Sequence, residues 1–318
     1  MTKPANQRAE IRKRELSRRT EGRDLYSNAN GEPEFRRSVT AFLDILGTKA
    51  ALTTMTNADL LEQIRLLDRL NPGLHDSAWE GEWQRMLTFS DSIALAVPLR
   101  QNSHGLELGS ALDSISAYQF ELACAGRFLR GGITIGDAYA DYENITGPAL
   151  VEAADLEANV AVMPRVLLSE AGLRLAIMEG LSGYGDRAFT SEWNSALMID
   201  ADGRAFVNYL TTAIDAESND VALAVDLLED HKKAVTDALV KHSKPPRVRE
   251  KYVWVAHYHN TFCAMHRPGE GLEIADPHLS PLEEEYPRPF RLVFTRHSKL
   301  AAKSAPAKPL RLRSKQSR

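Results

Sequence analysis

The sequence predicts an α/β fold in which helices pack against a central sheet, because short apolar runs alternate with longer segments of helical periodicity. The first strand is predicted at residues 39–47, where Val-Thr-Ala-Phe-Leu-Asp-Ile-Leu-Gly is bounded by a glycine. A helical pattern with Asn57 as its cap follows, and its apolar stripe is expected to face the core. A chain of 318 residues with 43% hydrophobic content can bury a full core, so one main domain with extensions is expected.

The later segments continue this alternation of strands and helices. A hairpin is predicted across residues 86–97, with its turn at Ser90-Asp91-Ser92. Next come a helical pattern over 103–128, a strand over 130–140, a glycine-led helix from 147, a short strand over 165–169 and a helix over 170–179. The second half predicts a hairpin turning at 202–203, a helix over 221–242, and a segment at 249–260 that fits a helix or a strand.

Asp44 is a lone carboxylate within the first apolar strand. An unpaired carboxylate in a buried strand costs several kcal/mol, so its presence implies a compensating cation, most simply a metal ion. Gly47 allows the backbone to turn sharply after the strand and to approach a ligand. The alternative is that Asp44 caps the helix that follows, which fits poorly because Ile45 and Leu46 separate it from the helix start.

Asp91 is a second carboxylate, flanked by apolar residues and placed at the turn of the predicted hairpin. If this hairpin pairs beside the first strand, Asp44 and Asp91 converge on one spot. Such an oxygen-rich site suits Mg²⁺ or Mn²⁺, which prefer carboxylate, carbonyl and water ligands. Asp is common in turns, so an ordinary turn residue is the alternative interpretation of Asp91.

These residues carry a resemblance to a known family. Phe42-Leu43-Asp44-Ile45-Leu46-Gly47 resembles the first metal motif of class III nucleotide cyclases, and Asp91 falls where that family has its second metal-binding Asp. Residues 129–136 and 147–157 resemble its next core strand and glycine-led helix, so the resemblance covers roughly residues 36–170. The spellings Ser-Asp-Ser and Gly-Pro-Ala-Leu-Val-Glu-Ala are most similar to the pyrimidine cyclases of bacterial Pycsar anti-phage systems. The family implies a ferredoxin-like βαββαβ core, here with helical C-terminal additions.

The resemblance also implies a reaction and a site. UTP would be converted to 3′,5′-cyclic UMP with release of pyrophosphate, CTP being the second choice of substrate, with two Mn²⁺ or Mg²⁺ ions in each site. Asp44 and Asp91 would bridge both ions, and the backbone carbonyl of Ile45 would complete one coordination shell. Backbone N–H groups and polar side chains would bind the nucleotide; the residues expected to do so are Leu46, Gly47, Thr48, Lys49, Arg130 and Asn144.

Two positions on the glycine-led helix depart from the family. Purine cyclases of this class carry an Asn and an Arg there to hold the ribose and the transition-state charge, and these align with Val151 and Asp155, which cannot do that work. Either the metal ions carry more of the charge or another basic residue replaces the arginine; the candidates are Lys49, Arg130, Arg165 and Lys251. Arg130 fits equally well a structural salt bridge at the end of its strand.

The residues that read the base also depart from the family. The adenine-reading Lys and Asp of the family fall near Leu87 and Asn144. Leucine cannot hydrogen-bond to a base edge, whereas Asn144 can donate and accept, which suits uracil or cytosine.

Class III sites lie at a subunit interface, so the resemblance implies a head-to-tail homodimer with two sites. A separate cyclic-nucleotide-binding effector would read the product as a second messenger in antiviral defence. Three alternatives stay open: an adenylate or guanylate cyclase, a catalytically degenerate cyclase-like module that binds nucleotide, and an RNA-binding protein that uses its basic ends.

The predicted organisation is a basic flexible arm at 1–34, a nucleotide cyclase domain at 35–210, a helical extension packed on the core at 211–298, and a basic disordered tail at 299–318. A net charge of −4 argues against nucleic-acid or membrane binding by the whole protein. Two isolated cysteines suit a reducing compartment and exclude a cysteine-based zinc site. No apolar run approaches the roughly 18 residues of a membrane span, and no signal peptide is recognisable, so a cytoplasmic location is expected.

Overall fold

The structure is a computed structural model that describes residues 25–48, 53, 55–75, 84–101, 105–141, 143–179, 196–215, 221–267, 269–275 and 290–292. Within these ranges the strands are β1 (Arg36–Ile45), β2 (Arg85–Phe89), β3 (Ser92–Pro98), β4 (Leu129–Ala140), β5 (Ile145–Thr146), β6 (Val166–Leu168), β7 (Leu197–Ile199), β8 (Ala205–Val207) and β9 (Arg291–Leu292). The helices are α1 (Asn57–His75), α2 (Leu106–Cys124), α3 (Pro148–Asp155), α4 (Glu170–Glu179), α5 (Thr211–Asp215), α6 (Val221–Lys241) and α7 (Pro246–His266), and a π-helical turn (Leu156–Val160) continues α3.

The first half of the chain forms a ferredoxin-like core, as predicted. The sheet begins in the order β2-β3-β1-β4, and β1 runs antiparallel to both β3 and β4. Helices α1 and α2 each connect strands that are separated in the sheet by one other strand, which gives the βαββαβ arrangement. Beyond β4 the sheet continues through β6, β8, β7 and β9, with β6 parallel to β4. The α/β fold class predicted from the sequence is therefore confirmed.

Strand β1 lies at the centre of this core. Its residues Val39, Ala41 and Leu43 are almost completely buried and point to one face of the sheet, because side chains alternate along a strand. That face belongs to the same hydrophobic cluster as the buried residues Leu108 and Leu112 of α2. The opposite face carries Asp44, which is why this carboxylate stands apart from the main core.

Helix α3 packs very closely on β4 because glycines provide the space. A Cβ atom added at Gly132 would lie 2.5 Å from Leu156 Cβ and would collide with the Ala153 carbonyl. A Cβ at Gly136 would lie 3.2 Å from Ala149 Cβ. Since only glycine permits this approach, the two glycines fix where α3 and the π-helical turn after it cross the sheet.

The C-terminal half adds a helical layer to the same hydrophobic cluster. Residues 249–260, which fitted a helix or a strand, lie within α7. The buried His231 of α6 and His259 of α7 face each other with their Nδ1 atoms 3.0 Å apart. Tyr209 hydroxyl lies 2.9 Å from His231 Nε2, and His259 Nε2 lies 2.9 Å from the Leu272 carbonyl oxygen. His259 is therefore a packing residue of the buried core.

Helix α1 differs from its prediction at its start and along its face. Thr56, rather than Asn57, caps it: the Asp59 N–H donates to Thr56 Oγ1 (3.2 Å) and the Thr56 N–H donates to Asp59 Oδ2 (2.8 Å). The apolar stripe predicted to face the core is partly exposed, since Leu60, Leu61 and Ile64 keep 44–47% of their surface accessible. Among the described helices, none combines the length and the hydropathy that a membrane span requires.

The predicted flexible arm at 1–34 is described only from residue 25 onward. There the chain forms an ordered turn, in which the side chain of Tyr26 is fully buried and its hydroxyl lies 3.0 Å from Ser38 Oγ. Residues 1–24 and the predicted tail at 299–318 lie outside the described residues. The boundaries at 35, 211 and 299 remain predictions.

Candidate metal centre

Asp44 occupies the penultimate position of β1, opposite Ser92 on one neighbouring strand and Arg130 on the other. Paired residues of neighbouring strands point to the same face, so both side chains can reach its carboxylate. Ser92 Oγ donates to Asp44 Oδ1 at 3.1 Å, and Arg130 donates to Asp44 Oδ2 at 3.4 Å. The side chain of Asp44 is 19% exposed, which leaves one edge of the carboxylate accessible to a ligand.

Asp91 lies at the turn between β2 and β3, next to Asp44 as predicted from the hairpin. The turn consists of Ser90 and Asp91, and Ser90 has a φ of 58°, a left-handed conformation that is unusual for a residue other than glycine. The Asp91 carbonyl accepts a hydrogen bond from the Ile45 N–H at 3.1 Å. This bond joins the hairpin turn to the end of β1 and brings the two acidic residues to one corner of the sheet.

The turn after β1 agrees only in part with the nucleotide-binding role expected of it. Gly47 has a φ of 84°, so the left-handed turn predicted here requires glycine. The Leu46 N–H is already used, because it donates to the Phe128 carbonyl at 2.8 Å, and the expectation that it binds phosphate is wrong. The Thr48 hydroxyl donates to the Ile45 carbonyl at 3.0 Å, the group expected to bind metal. Lys49 lies outside the described residues.

Glu157 is a third carboxylate of this corner, and the sequence interpretation missed it. It lies in the π-helical turn after α3, its side chain is 8% exposed, and its Oε1 is 2.7 Å from Arg130 Nε. One signal was present in the sequence: Ala149, Ala153 and Glu157 recur every four residues. The first two pack on β4 glycines, so the third should reach the same face of the sheet.

The salt bridge expected of Arg130 at the end of its strand is present, and it lies within the candidate site. The partners of this arginine, Asp44 and Glu157, belong to the candidate site itself. Although Arg130 Nε and Glu157 Oε1 are 2.7 Å apart, they are not aligned as a hydrogen bond, and both atoms are buried. The Arg130–Glu157 pair is therefore held by charge alone at this point. A cation that binds Glu157 more strongly could displace Arg130.

The carboxylates of this corner repel one another. The pKa of Asp44 is raised chiefly by burial, and the charge of Asp91 raises it further, while the hydrogen bond from Ser92 and the charge of Arg130 act in the opposite direction. The pKa of Glu157 is also raised, first by burial and then by Asp44 and Asp91, with Arg130 opposing. A cation bound among these groups would stabilise their ionised forms.

The residues present fit a hard divalent cation. Asp44, Asp91 and Glu157 supply carboxylate oxygens, Ile45 can supply a carbonyl oxygen, and a single arginine leaves the group negatively charged. Within the described residues, no three acidic, histidine or cysteine side chains are yet placed to hold an ion together. Since Arg130 stands between Asp44 and Glu157, an ion would be bound after this arginine swings away.

Two other predicted residues lie outside this corner. Arg165 is buried and pairs with Asp200 and with Asp202 Oδ2 (2.5 Å), so it is not available to replace the missing transition-state arginine. Asn144 follows the far end of β4, where its N–H donates to Asp141 Oδ1 at 2.7 Å. Arg130 and Ala140 are ten strand residues apart along β4, a separation of roughly 33 Å. Asn144 therefore cannot touch a ligand of Asp44 in the same chain.

A cavity of about 660 Å³ lies elsewhere, between α1, the end of α2 and α6. Its lining mixes basic and acidic side chains, namely Arg65, Arg127, Lys233, Lys241, Glu62, Asp230 and Asp237. None of the residues predicted to bind metal or nucleotide lines it.

No family model matches the chain, and no curated protein matches it. The chain is similar to the solved structure of the adenylyl cyclase CyaB from P. aeruginosa, with 17% identity over 45% of this chain and 81% of that chain and a TM-score of 0.38. It is also similar to a bacterial light-regulated adenylyl cyclase, with 12% identity over 66% of each chain and a TM-score of 0.40. A third similar structure is a class III adenylyl cyclase-like ATP-binding protein from Pseudomonas aeruginosa, with 14% identity over 51% of this chain and 40% of that chain and a TM-score of 0.37. These likenesses are distant, so any reaction has to be inferred from the side chains of this chain.

Proposed function

We propose that this protein is a metal-dependent nucleotide cyclase that converts UTP to 3′,5′-cyclic UMP, with CTP as the second substrate. The observation that supports the proposal is the meeting of Asp44, Asp91 and Glu157 at one corner of the sheet, next to the turn at Gly47. Each of these carboxylates comes from a different part of the chain. Their mutual repulsion is a cost that folding alone does not require and that a bound cation would offset.

Cyclisation requires the ribose 3′-oxygen to attack the α-phosphorus while pyrophosphate leaves. Divalent ions bound at this corner would supply the Lewis acidity for both events. Asp44 and Asp91 would hold the ions, with the Ile45 carbonyl and Glu157 as further oxygen ligands. The N–H groups of Gly47 and Thr48 remain as donors to the phosphates once Leu46 is excluded. Arg130, displaced from its carboxylates, would turn toward the developing negative charge on the phosphates.

The preference for a pyrimidine rests on Leu87 and Asn144. Leu87 is half-buried among apolar residues on β2 and offers no hydrogen bond to a base. Asn144 is exposed, and its Nδ2 donates to Asp141 Oδ1 at a long distance of 3.4 Å. Its amide could therefore pair with the edge of uracil or cytosine.

The separation between the two halves of the site supports a head-to-tail homodimer. Because Asn144 lies at the far end of β4 from Asp44, it could read the base of a nucleotide bound at Asp44 only from a second copy of the chain. Apolar side chains are exposed near both halves: Phe89 beside the Asp91 turn is 48% exposed, and Val151 on α3 is 62% exposed. We expect these side chains to be covered in the dimer.

Cyclic UMP would act as a second messenger in antiviral defence and would be read by a separate cyclic-nucleotide-binding effector, as the resemblance to Pycsar cyclases implies. A cyclase-like module that binds nucleotide without turnover is the second candidate. The ion pairs of Arg130 with Asp44 and Glu157 favour it, since they fill the corner with the protein's own charge.

Product analysis decides between these functions. Purified protein is incubated with Mn²⁺ and each of the four ribonucleoside triphosphates in turn, and products are identified by mass spectrometry. We expect cyclic UMP from UTP, and its loss in Asp44→Ala and Asp91→Ala. Asp137→Ala, which removes an exposed carboxylate of the same sheet, should leave the yield unchanged. Cyclic AMP or cyclic GMP as the main product would identify a purine cyclase, and binding of UTP without any product would favour the module.

A further inference from the structure

We infer that Lys251 and Arg247 of α7 form a cationic wall that binds the triphosphate on the side opposite Asp44 and Asp91. This inference rests on the proposed function and names a part of the site that comes from the C-terminal half. The two residues are one helical turn apart on α7, so they share a face of that helix. The following observations place this face beside Arg130.

The first anchor of α7 is Tyr252, which follows Lys251 directly. Its ring packs edge-on against Phe128, with ring centroids 5.4 Å apart, and Tyr252 is only 5% exposed. The Phe128 carbonyl in turn accepts the Leu46 N–H at 2.8 Å. Tyr252 therefore fixes α7 to the residue two positions before Arg130, and through it to the turn that follows Asp44.

The second anchor is Trp254, three residues after Lys251. Trp254 Nε1 donates to Asp200 Oδ2 at 2.9 Å, and Asp200 forms a buried ion pair with Arg165. The Arg165 carbonyl accepts the N–H of Gly131 at 3.2 Å. These contacts lead from Trp254 to Gly131, the residue directly after Arg130. Around the axis of α7, Lys251 lies between Tyr252 and Trp254, whose contacts lead to β4 residues before and after Arg130.

Lys251 and Arg247 bring uncompensated positive charge to this face, as far as the described residues show. Lys251 is half-buried and has no hydrogen-bond or ion-pair partner in the part of the chain that the structure describes. Burial lowers the pKa of Lys251, and repulsion by Arg130 and Arg247 lowers it further. Three cations brought together at the edge of a carboxylate cluster are stabilised by an anion that carries several charges.

A nucleoside triphosphate is an anion of this kind. Carboxylates with their metal ions would hold one side of the phosphate chain, and Lys251 and Arg247 would donate hydrogen bonds to non-bridging oxygens on the other side. Purine cyclases of the resembled family carry an arginine at the position that Asp155 occupies here. The wall would supply the positive charge which that arginine provides. Because α7 belongs to the C-terminal half, that half would take part in substrate binding as well as in packing.

Binding of inorganic tripolyphosphate tests the wall without any turnover. Isothermal titration is performed on the full chain in EDTA, so that only protein groups bind the anion. We expect Lys251→Met to bind about 10- to 100-fold more weakly than wild type, and Lys251→Arg to recover part of the loss. Lys233→Met, which removes an exposed lysine of α6, should bind as wild type does. Equal affinity of Lys251→Met and wild type would overturn the inference, provided that circular dichroism shows both folded.

The inference and the proposed function can fail separately. If tripolyphosphate binding depends on Lys251 but no triphosphate is cyclised, the wall stands and the cyclase is rejected. If cyclic UMP forms and Lys251→Met keeps the wild-type KM for UTP, the cyclase stands and the wall is rejected. We expect the KM of Lys251→Met for UTP to rise about as much as its tripolyphosphate affinity falls, with a smaller change in kcat.

Discussion

Arg130 Nε lies 2.7 Å from Glu157 Oε1, and the same guanidinium reaches Asp44 at 3.4 Å. Arg130 therefore pairs with two of the three carboxylates that meet at this corner. We interpret it as a stand-in for the metal ion: it limits the repulsion while no ion is bound and moves toward the phosphates when one binds.

Replacing Arg130 should lower the stability of the fold chiefly when no metal ion is present. Arg130→Gln leaves Asp44 and Glu157 without their cation, and we expect its unfolding free energy in EDTA to fall by about 2–3 kcal/mol. Mn²⁺ should restore most of this loss, because the ion neutralises the same carboxylates. Thermal unfolding of the variant and the wild type, each in EDTA and in Mn²⁺, measures the effect.

A matched control is offered by Arg100, whose Nε lies 2.7 Å from Oε1 of the buried Glu107. Arg100→Gln should also destabilise the protein, but Mn²⁺ should not rescue it, because this pair lies outside the acidic corner. Equal rescue of both variants would show that Mn²⁺ acts elsewhere on the protein.

Gly132→Ala should displace α3 and the Glu157 turn. The added Cβ would meet Leu156 Cβ at 2.5 Å and collide with the Ala153 carbonyl, which we expect to cost about 1–3 kcal/mol of unfolding free energy and most of the metal affinity. Gly172→Ala on α4 is the control, since its nearest new contact would be an ordinary 3.4 Å. Urea unfolding and Mn²⁺ titration measure both variants. Wild-type metal affinity in Gly132→Ala would show that Glu157 does not serve the site.

Arg165 should matter for folding rather than for the reaction. Arg165→Met leaves the buried carboxylate of Asp200 without its cation, and we expect a loss of about 3–5 kcal/mol. Arg174→Met removes an exposed pair with Glu170 (2.8 Å) and should cost less than about 1 kcal/mol. Urea unfolding gives both values. A stable Arg165→Met protein with reduced turnover would instead return Arg165 to the catalytic candidates.

The buried histidine pair should make the protein sensitive to acid. Burial lowers the pKa of His259 to about 4 and lowers that of His231 as well, while both titrate near 6.5 when unfolded. Between these limits the unfolded chain binds protons that the folded chain does not, so stability falls as pH falls from about 6.5 to about 4. Each histidine contributes up to about 1.4 kcal/mol per pH unit.

The variant that tests this is His231→Phe, whose ring can still stack on Phe120. Between pH about 4 and about 6.5, the unfolding free energy of this variant should depend less steeply on pH than that of the wild type. The difference in slope should correspond to about one fewer proton taken up on unfolding. An unchanged slope in urea titrations at several pH values would show that His231 is protonated in the folded state.

The α/β fold class could be predicted from the sequence because the strands follow simple patterns, and the ferredoxin-like order of those strands was what the family resemblance implied. The apolar run around Asp44, the hairpin at Asp91 and the strand beginning near Arg130 are each bounded by turn residues. These features also made the two aspartates recognisable as neighbours. Boundaries were less accurate: the cap of α1 is Thr56 rather than Asn57, since either residue type can cap a helix.

The rest of the site could not be predicted because it depends on contacts between distant parts of the chain. The Leu46 N–H is used by Phe128, a residue of another element, and no local pattern shows this. Glu157 was missed because its four-residue spacing from Ala149 and Ala153 points to the sheet only once the packing of these alanines on the β4 glycines is known. Segment 249–260 was ambiguous because α7 is buried on several sides, with Tyr252, Val255, Tyr258 and His259 all inside, so its polar and apolar residues do not separate into two faces.

The central claim is that Asp44 and Asp91 hold divalent ions. The most direct measurement is anomalous diffraction from crystals of this protein soaked with Mn²⁺ and a non-cyclising UTP analogue that lacks the 3′-hydroxyl. We expect a manganese peak bound by the carboxylates of Asp44 and Asp91, with Arg130 turned away from Asp44. Nucleotide bound in the crystal with manganese absent from this corner, or with Arg130 still paired to Asp44, would contradict the account.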